Sequence, residues 1–186
     1  MRMRIINDSR CRFAGLAFGP ETSGCRPGHR AHQQDGCMSV NYRAMNCSPE
    51  DVFAVIADGW VFPTWVVGAS RMRDVDARWP AVGSQLKHSF GVWPVLINDE
   101  TTMLEWDPPR RMVIQPQGWP IGEARVTIDV KPRKYGCVVR IDERAVKGPG
   151  ALVPAPLLDI PLYLRNIETL KRLAYIAEGK AQNGEI

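Results

Sequence analysis

The sequence lacks long apolar runs, paired cysteine motifs and the short motifs of several common enzyme classes. Over 186 residues it is 45% hydrophobic and 24% charged, which is a globular composition, and no apolar run is long enough to predict a membrane span. The five cysteines include no Cys-x-x-Cys spacing, which argues against a disulfide framework. A serine-nucleophile elbow and a phosphate-binding glycine loop are also missing, so hydrolase, kinase and dinucleotide-binding functions lack support.

The net positive charge is small outside the first 37 residues. Those residues hold six arginines and three acids, a balance of +3, which leaves +1 of the total formal charge of +4 for the rest of the chain. A nucleic-acid-binding domain should carry a basic face or stripe on the fold itself. We therefore predict no nucleic-acid partner and no integral membrane association.

Residues 1–37 mix Arg, Gly, Ser, Pro and His without helical or strand periodicity. We interpret them as a disordered or mis-assigned N-terminal extension, with Met38 as a candidate start of the protein. The segment from Phe13 to Phe18 is too short and too interrupted by glycine for a signal-peptide core, whereas an Arg-rich organellar transit peptide stays open.

The cysteines and histidines do not predict a metal site. The extension contains two thiols and two imidazoles, but their spacing fits no common zinc finger; they are Cys25, His29, His32 and Cys37. Cys47 and Cys137 lie among strand-like residues, and we expect them to be buried, reduced thiols.

A helix start follows the first predicted strand, which runs from Met38 to Met45. Ser48 is suited to the N-cap, Pro49 to the first helical position, and acidic residues occupy the first turn. The helix should end near Asp58 and Gly59, where glycine favours a C-cap. A short turn or second helix is predicted around Pro63.

Six further short strands are predicted, separated by turn residues, which is typical of an antiparallel meander. They are expected at Ser70 to Val75, Ser84 to Gly91, Thr101 to Trp106, Met112 to Pro116, Glu123 to Lys131 and Cys137 to Val146. The turns between them include Asn98 and Asp99. In the strand from Ala124 to Val130, apolar and polar residues alternate, which predicts a sheet with one covered face.

A long C-terminal helix should cover that face. After a loop from Gly148 to Pro156, apolar residues recur at helical spacing; the predicted inward stripe is Tyr163, Ile167, Leu170, Leu173, Ala174 and Ala177. The predicted fold is therefore an α+β domain in which a bent sheet and one long helix enclose a ligand-sized space.

These elements and several local motifs resemble the START-related, Bet v 1-like superfamily, in particular bacterial polyketide cyclase/dehydrase and lipid transport proteins. The motifs are Ser48-Pro49-Glu50-Asp51-Val52-Phe53, Trp79-Pro80-x-x-Gly83-Ser84, Pro108-Pro109-Arg110-Arg111, Trp119-Pro120-x-Gly122-Glu123-Ala124 and Arg165-Asn166-x-Glu168-x-Leu170-x-x-Leu173. The resemblance implies a helix-grip fold, in which about seven antiparallel strands wrap a long C-terminal helix. The domain is expected at residues 38–180, followed by a flexible 181–186.

Ten residues are candidates for ligand binding in the predicted space: Trp65, His88, Phe90, Trp93, Trp106, Trp119, Glu143, Tyr163, Asn166 and Leu170. The alternatives are a core histidine at His88 and ordinary packing roles for the tryptophans. For Glu143 we favour a solvated position at the rim. Asn166 and Tyr163 either orient a ligand or tie the helix to the preceding loop.

The leading hypothesis is a non-catalytic protein that binds or carries a small hydrophobic molecule, lipid or polyketide-like. The alternatives are a cyclase or dehydratase using His88, Glu143 or Tyr163 as acid or base, and a protein-interaction module like the chaperone-activating relatives of the superfamily. An exposed apolar patch would favour the interaction module. No cofactor is expected, the location is expected to be cytoplasmic, and the protein is expected to be a monomer or homodimer.

Overall fold

The computed structural model describes residues 37–92, 94–118, 122–148 and 155–184. Its elements, in chain order, are β1 (Cys37–Met45), α1 (Pro49–Ala57), a 3-10 turn (Gly59–Val61), α2 (Phe62–Trp65), β2 (Ala69–Val75), β3 (Gln85–Val92), β4 (Val95–Asp107), β5 (Arg111–Pro116), β6 (Glu123–Pro132), β7 (Cys137–Lys147) and α3 (Ala155–Asn183).

The seven strands form one curved antiparallel sheet in the order β1-β7-β6-β5-β4-β3-β2. Strands β2 to β7 are consecutive neighbours, as the meander prediction requires, and β1 closes the far edge by pairing with β7. Together with α3, the sheet has the helix-grip arrangement, which confirms the predicted fold class.

Strand β4 differs from its prediction because it starts at Val95, ahead of the predicted turn at Asn98 and Asp99. Those two residues pair in register with Ser89 and His88 of β3. A cross-strand ladder therefore satisfies their backbone groups, and the chain reversal lies further upstream, between the paired residues Val92 and Val95.

Helix α1 begins with the predicted cap. The backbone N–H of Asp51 donates to Oγ of Ser48 at 3.1 Å, and the backbone N–H of Ser48 donates to the Asp51 carboxylate at 2.7 Å. This reciprocal pair is a capping box, which satisfies two amides that the helix itself cannot. The cap fixes where the chain leaves β1 and enters the helical layer.

Helix α3 packs against β1, α1 and α2. Its inward face includes four members of the predicted stripe, which are 1% exposed or less: Leu170, Leu173, Ala174 and Ala177. The other two predicted members were wrong, because Tyr163 and Ile167 are 48% and 40% exposed. Their place on the inward face is taken by the buried polar residues Asn166 and Thr169, which have hydrogen-bond partners outside α3.

As a result, the first turns of α3 present an apolar stripe to solvent. It consists of Ile160, Tyr163, Leu164 and Ile167, between 40% and 64% exposed. Their i, i+3, i+4, i+7 spacing places them on one helix face. We call this set the outer stripe.

Cys47 and Cys137 are buried and not disulfide-bonded, as expected. Cys137 is the first residue of β7 and pairs in register with Met45, two residues before Cys47. Within the described ranges, no helix combines the length and the apolar character that a membrane crossing requires.

Candidate functional site

A pocket of about 240 Å³ lies on the concave side of the sheet, bordered by α2 and by the first half of α3. Most of its wall is apolar. The lining side chains include Phe62, Trp65, Phe90, Ile97, Ile114, Val126, Ile128, Ile141 and Leu162. Burial of apolar ligand surface is therefore the main interaction that this wall offers.

Two small residues make room in the wall formed by β6 and β7. Ala124 and Ala145 are cross-strand partners, and both line the pocket. At the opposite wall, Gly68 adopts a φ of 102°, and a Cβ atom built on it would lie 2.2 Å from the Phe90 ring. Glycine at this position therefore allows Phe90 to lie against the chain and face the pocket.

Of the ten candidate ligand-binding residues, five line the pocket: Trp65, His88, Phe90, Glu143 and Asn166. Leu170 is buried in the core but does not line the pocket, and Trp106 packs on Phe53 with ring centroids 5.2 Å apart. Tyr163 is on the outer stripe. Trp93 and Trp119 lie outside the described residues. Ligand contact at any of these residues stays a prediction.

His88 belongs to a buried polar group at the β3 and β4 wall. Its Nε2 atom is hydrogen-bonded to Oγ1 of Thr101 at 2.9 Å and lies 3.8 Å from the Asp99 carboxylate. Asp99 in turn accepts a hydrogen bond from the backbone N–H of Gly118 at 2.9 Å. His88 is buried, as the core-histidine alternative predicts, and its hydrogen-bond partner is a hydroxyl on the neighbouring strand.

Burial lowers the pKa of His88, although the nearby Asp99 carboxylate opposes the shift. Arg73 acts in the same direction as burial; its guanidinium donates to the backbone carbonyl of His88. Nδ1 of His88 has no hydrogen-bond partner among the described residues. Because burial disfavours the charged ring, the neutral imidazole is the favoured form at neutral pH.

We expect this histidine to make folding pH-dependent. The unfolded chain takes up the proton near the ordinary pKa of about 6.5, and the folded chain does so only at lower pH. The contribution of the neutral His88 to the free energy of unfolding is therefore complete above about pH 6.5. It is lost as pH falls, by at most about 1.4 kcal/mol per pH unit. Urea unfolding of the wild type and of His88→Gln across this range measures it. Equal pH slopes for the two proteins would contradict the assignment.

Glu143 is the centre of a second polar group, between β7 and α3. Its Oε2 atom forms an ion pair with Nη2 of Arg165 and accepts a hydrogen bond from Nδ2 of Asn166 at 3.1 Å. The residue is 4% exposed, so the preference for a solvated rim position was wrong. A buried carboxylate requires such partners, and the guanidinium supplies the compensating charge. Asn166 thus ties α3 to β7 rather than to the preceding loop.

Sequence reasoning missed Asp99, Thr101 and Arg165 as site residues. The sequence predicts Asp99 in a turn, whereas its pairing with His88 depends on the register of β3 and β4. Arg165 stands next to Asn166, but adjacent residues on a helix do not share a face, so nothing local indicated that both contact Glu143. The two polar groups have separate partners: Thr101 and Asp99 for His88, Arg165 and Asn166 for Glu143.

No group of three or more metal-ligating side chains is present in the described residues. Of the extension's thiols and imidazoles, Cys25, His29 and His32 lie outside the described residues, and only the backbone of Cys37 is described. The pocket therefore offers a ligand hydrogen bonds and apolar surface.

Comparison with protein-family models matches residues 39–174 to the family described as polyketide cyclase/dehydrase and lipid transport. Comparison with curated proteins gave no match. Among solved structures, protein CV1439 from Chromobacterium violaceum is 22% identical with a TM-score of 0.58, covering 75% of this chain and 96% of that one.

Two further structures are similar at lower identity. The di-domain ARO/CYC protein StfQ from the steffimycin biosynthetic pathway is 13% identical with a TM-score of 0.64, over 77% of this chain and 51% of that one. Ara h 8.0201 is 12% identical with a TM-score of 0.57, over 77% and 96%. At these identities, the comparisons establish a shared fold.

Proposed function

The chain belongs to the polyketide cyclase/dehydrase and lipid transport family, and from that premise we propose that it binds or carries a small apolar molecule without catalysing a reaction on it. The observation that carries the proposal is the pocket between the sheet and α3, with its mainly apolar wall. Pockets of this kind, with a few polar groups at defined points, are typical of small-molecule sites.

The size of the pocket limits the ligand. An engineered cavity of about 150 Å³ in another protein holds benzene. A pocket of about 240 Å³ therefore suits a molecule of roughly two fused rings or a short branched chain. At about 25 cal/mol per Å², burying about 300 Å² of such a ligand contributes on the order of 7 kcal/mol before entropic costs.

The arrangement of acid–base candidates favours binding over catalysis. A cyclase or dehydratase needs titratable groups converging on one reacting position. Here Tyr163 is on the outer stripe, and His88 and Glu143 are each held by their own partners. Glu143 also forms an ion pair with the Arg165 guanidinium, a contact that a role as acid or base would have to break.

The protein-interaction alternative is favoured by a different feature, the outer stripe of α3. Exposed apolar patches often mark docking surfaces. An empty pocket in protein from its own host, together with a stable complex formed through this stripe, would favour that function over ligand carriage.

Filling the pocket provides the direct test of ligand binding. Ala124→Trp places a large side chain in the wall where the small pair makes room, and we expect at least tenfold weaker binding of naphthalene in equilibrium dialysis. Arg125→Trp is the matched control, since the neighbouring residue on β6 is exposed and does not line the pocket. Circular dichroism verifies that both variants fold.

Two outcomes would contradict the proposal. One is that wild-type protein does not bind naphthalene and carries no small molecule in native mass spectrometry after purification from its own host. The other is that Ala124→Trp binds naphthalene as well as Arg125→Trp does.

A further inference from the structure

The charges that line the pocket are unevenly matched. In the described part of the chain, three carboxylates and two permanent cations contribute to the lining: Asp99, Glu123, Glu143, Lys147 and Arg165. His88 also lines it and is neutral at neutral pH, as argued above from its burial. These groups sum to a formal charge of −1.

Both cations are already paired with a carboxylate of the same pocket. Arg165 pairs with Glu143, and Nζ of Lys147 lies 3.6 Å from the Glu123 carboxylate. Lys147 is also 72% exposed in its side chain, which weakens its effect on the interior. An incoming anion would therefore have to compete with a protein carboxylate for either cation.

The remaining carboxylate, Asp99, has no permanent cation bonded to it among the described residues. Its neighbours are the backbone N–H of Gly118 and the neutral His88 ring. The guanidinium of Arg73 donates to the backbone carbonyl of Asp99 at 3.2 Å and not to its carboxylate. Asp99 is 5% exposed, so water screens its charge poorly.

Glu143 keeps one carboxylate oxygen without a hydrogen-bond partner among the described residues. Both donors that reach Glu143, Arg165 and Asn166, go to Oε2, and Oε1 receives no hydrogen bond from the described residues. An ionised carboxylate oxygen only accepts hydrogen bonds, so its complement is an O–H or N–H group. A ligand carboxylate at that position would face like charge.

We propose that the pocket selects uncharged apolar molecules that carry a hydroxyl group, which donates to Glu143, and that it discriminates against ionised apolar acids such as fatty or aromatic carboxylates. This rests on the proposed binding function and defines the chemical class of its ligand. A charge-assisted hydrogen bond is worth about tenfold or more in affinity. An ionised acid would lose the hydration of its carboxylate in the pocket without gaining a partner, and this lowers its affinity.

Three probes of similar size test this selection by titration calorimetry at neutral pH: naphthalene, 2-naphthol and 2-naphthoate. We expect 2-naphthol to bind about tenfold more tightly than naphthalene, and 2-naphthoate to bind at least tenfold more weakly than 2-naphthol. Glu143→Gln removes the charged acceptor and leaves Arg165 without its carboxylate partner. We therefore expect weaker binding of 2-naphthol and tighter binding of 2-naphthoate. Glu105→Gln, an exposed carboxylate on β4 outside the pocket, should leave all three affinities unchanged.

Each result has one meaning. Similar affinities for all three probes in the wild type would overturn the selection and leave the binding function intact, whereas no binding of any probe would overturn both. If Glu143→Gln fails to fold, Asp99→Asn replaces it and is expected to narrow the preference for 2-naphthol over 2-naphthoate. An unchanged preference in a folded variant at either position would overturn the electrostatic explanation.

Discussion

Arg165→Ala is expected to lower the free energy of unfolding by about 3 kcal/mol, because it leaves the Glu143 carboxylate buried without a compensating charge. The estimate is at the low end for buried ion pairs, since the Arg165 side chain is 26% exposed and water reaches part of it. Urea unfolding with linear extrapolation measures the difference.

A second ion pair on the same helix provides the control. Arg172 contacts Glu168 one turn earlier, with both side chains about 40% exposed. Exposed pairs of this kind contribute a few tenths of a kcal/mol, so Arg172→Ala should cost about 0.5 kcal/mol or less. Equal costs for Arg165→Ala and Arg172→Ala would mean that Glu143 is solvated in solution.

The double variant Glu143→Gln with Arg165→Ala separates the loss of the pair from the presence of an unpaired charge. Because the introduced glutamine side chain is neutral, no buried charge remains to be compensated. We expect the double variant to be more stable than Arg165→Ala alone, a non-additive result that is typical of residues in direct contact.

Leu173→Ala is expected to cost about 3 kcal/mol, within the range for leucines removed from a packed core. Leu164→Ala, the same substitution two and a half turns earlier on α3, should change stability by less than about 0.5 kcal/mol because Leu164 is 60% exposed. Helix propensity changes equally in both variants, so the difference between them reports burial alone.

Thermal and urea unfolding of these two variants test the orientation of α3. Similar losses for both would indicate that the outer stripe is covered in solution. A larger loss at Leu164 than at Leu173 would mean that the helix is rotated relative to the orientation described here.

Local signals in the sequence account for most of the fold. The capping box at Ser48 and Asp51 depends on neighbours in the chain, and the alternation from Ala124 to Val130 reports a single covered face. Both kinds of signal act over a few residues, so no knowledge of the rest of the molecule is needed. The same holds for the order of the meander, although the reversal before β4 lies upstream of the turn predicted at Asn98 and Asp99.

The errors share a cause, which is contact between residues distant in sequence. Periodicity alone placed Tyr163 inside, whereas α3 is oriented by Asn166, whose amide reaches Glu143 across 23 residues of chain. The assignment of Glu143 to a solvated rim failed for the same reason, because its partner Arg165 comes from the helix that covers it. A buried polar residue is predictable only when its partner is known.

The pairing of β1 with β7 has a consequence for synthesis of the protein. Tyr42 and Arg140 are opposite each other in the sheet although 98 residues separate them, so β1 has no strand partner until β7 has been made. At about 5–20 residues per second, translation leaves that edge of β1 open for roughly 5–20 seconds. During this interval a nascent chain exposes unpaired backbone groups that other chains can join, which makes the first strand the segment where a chaperone would be most useful.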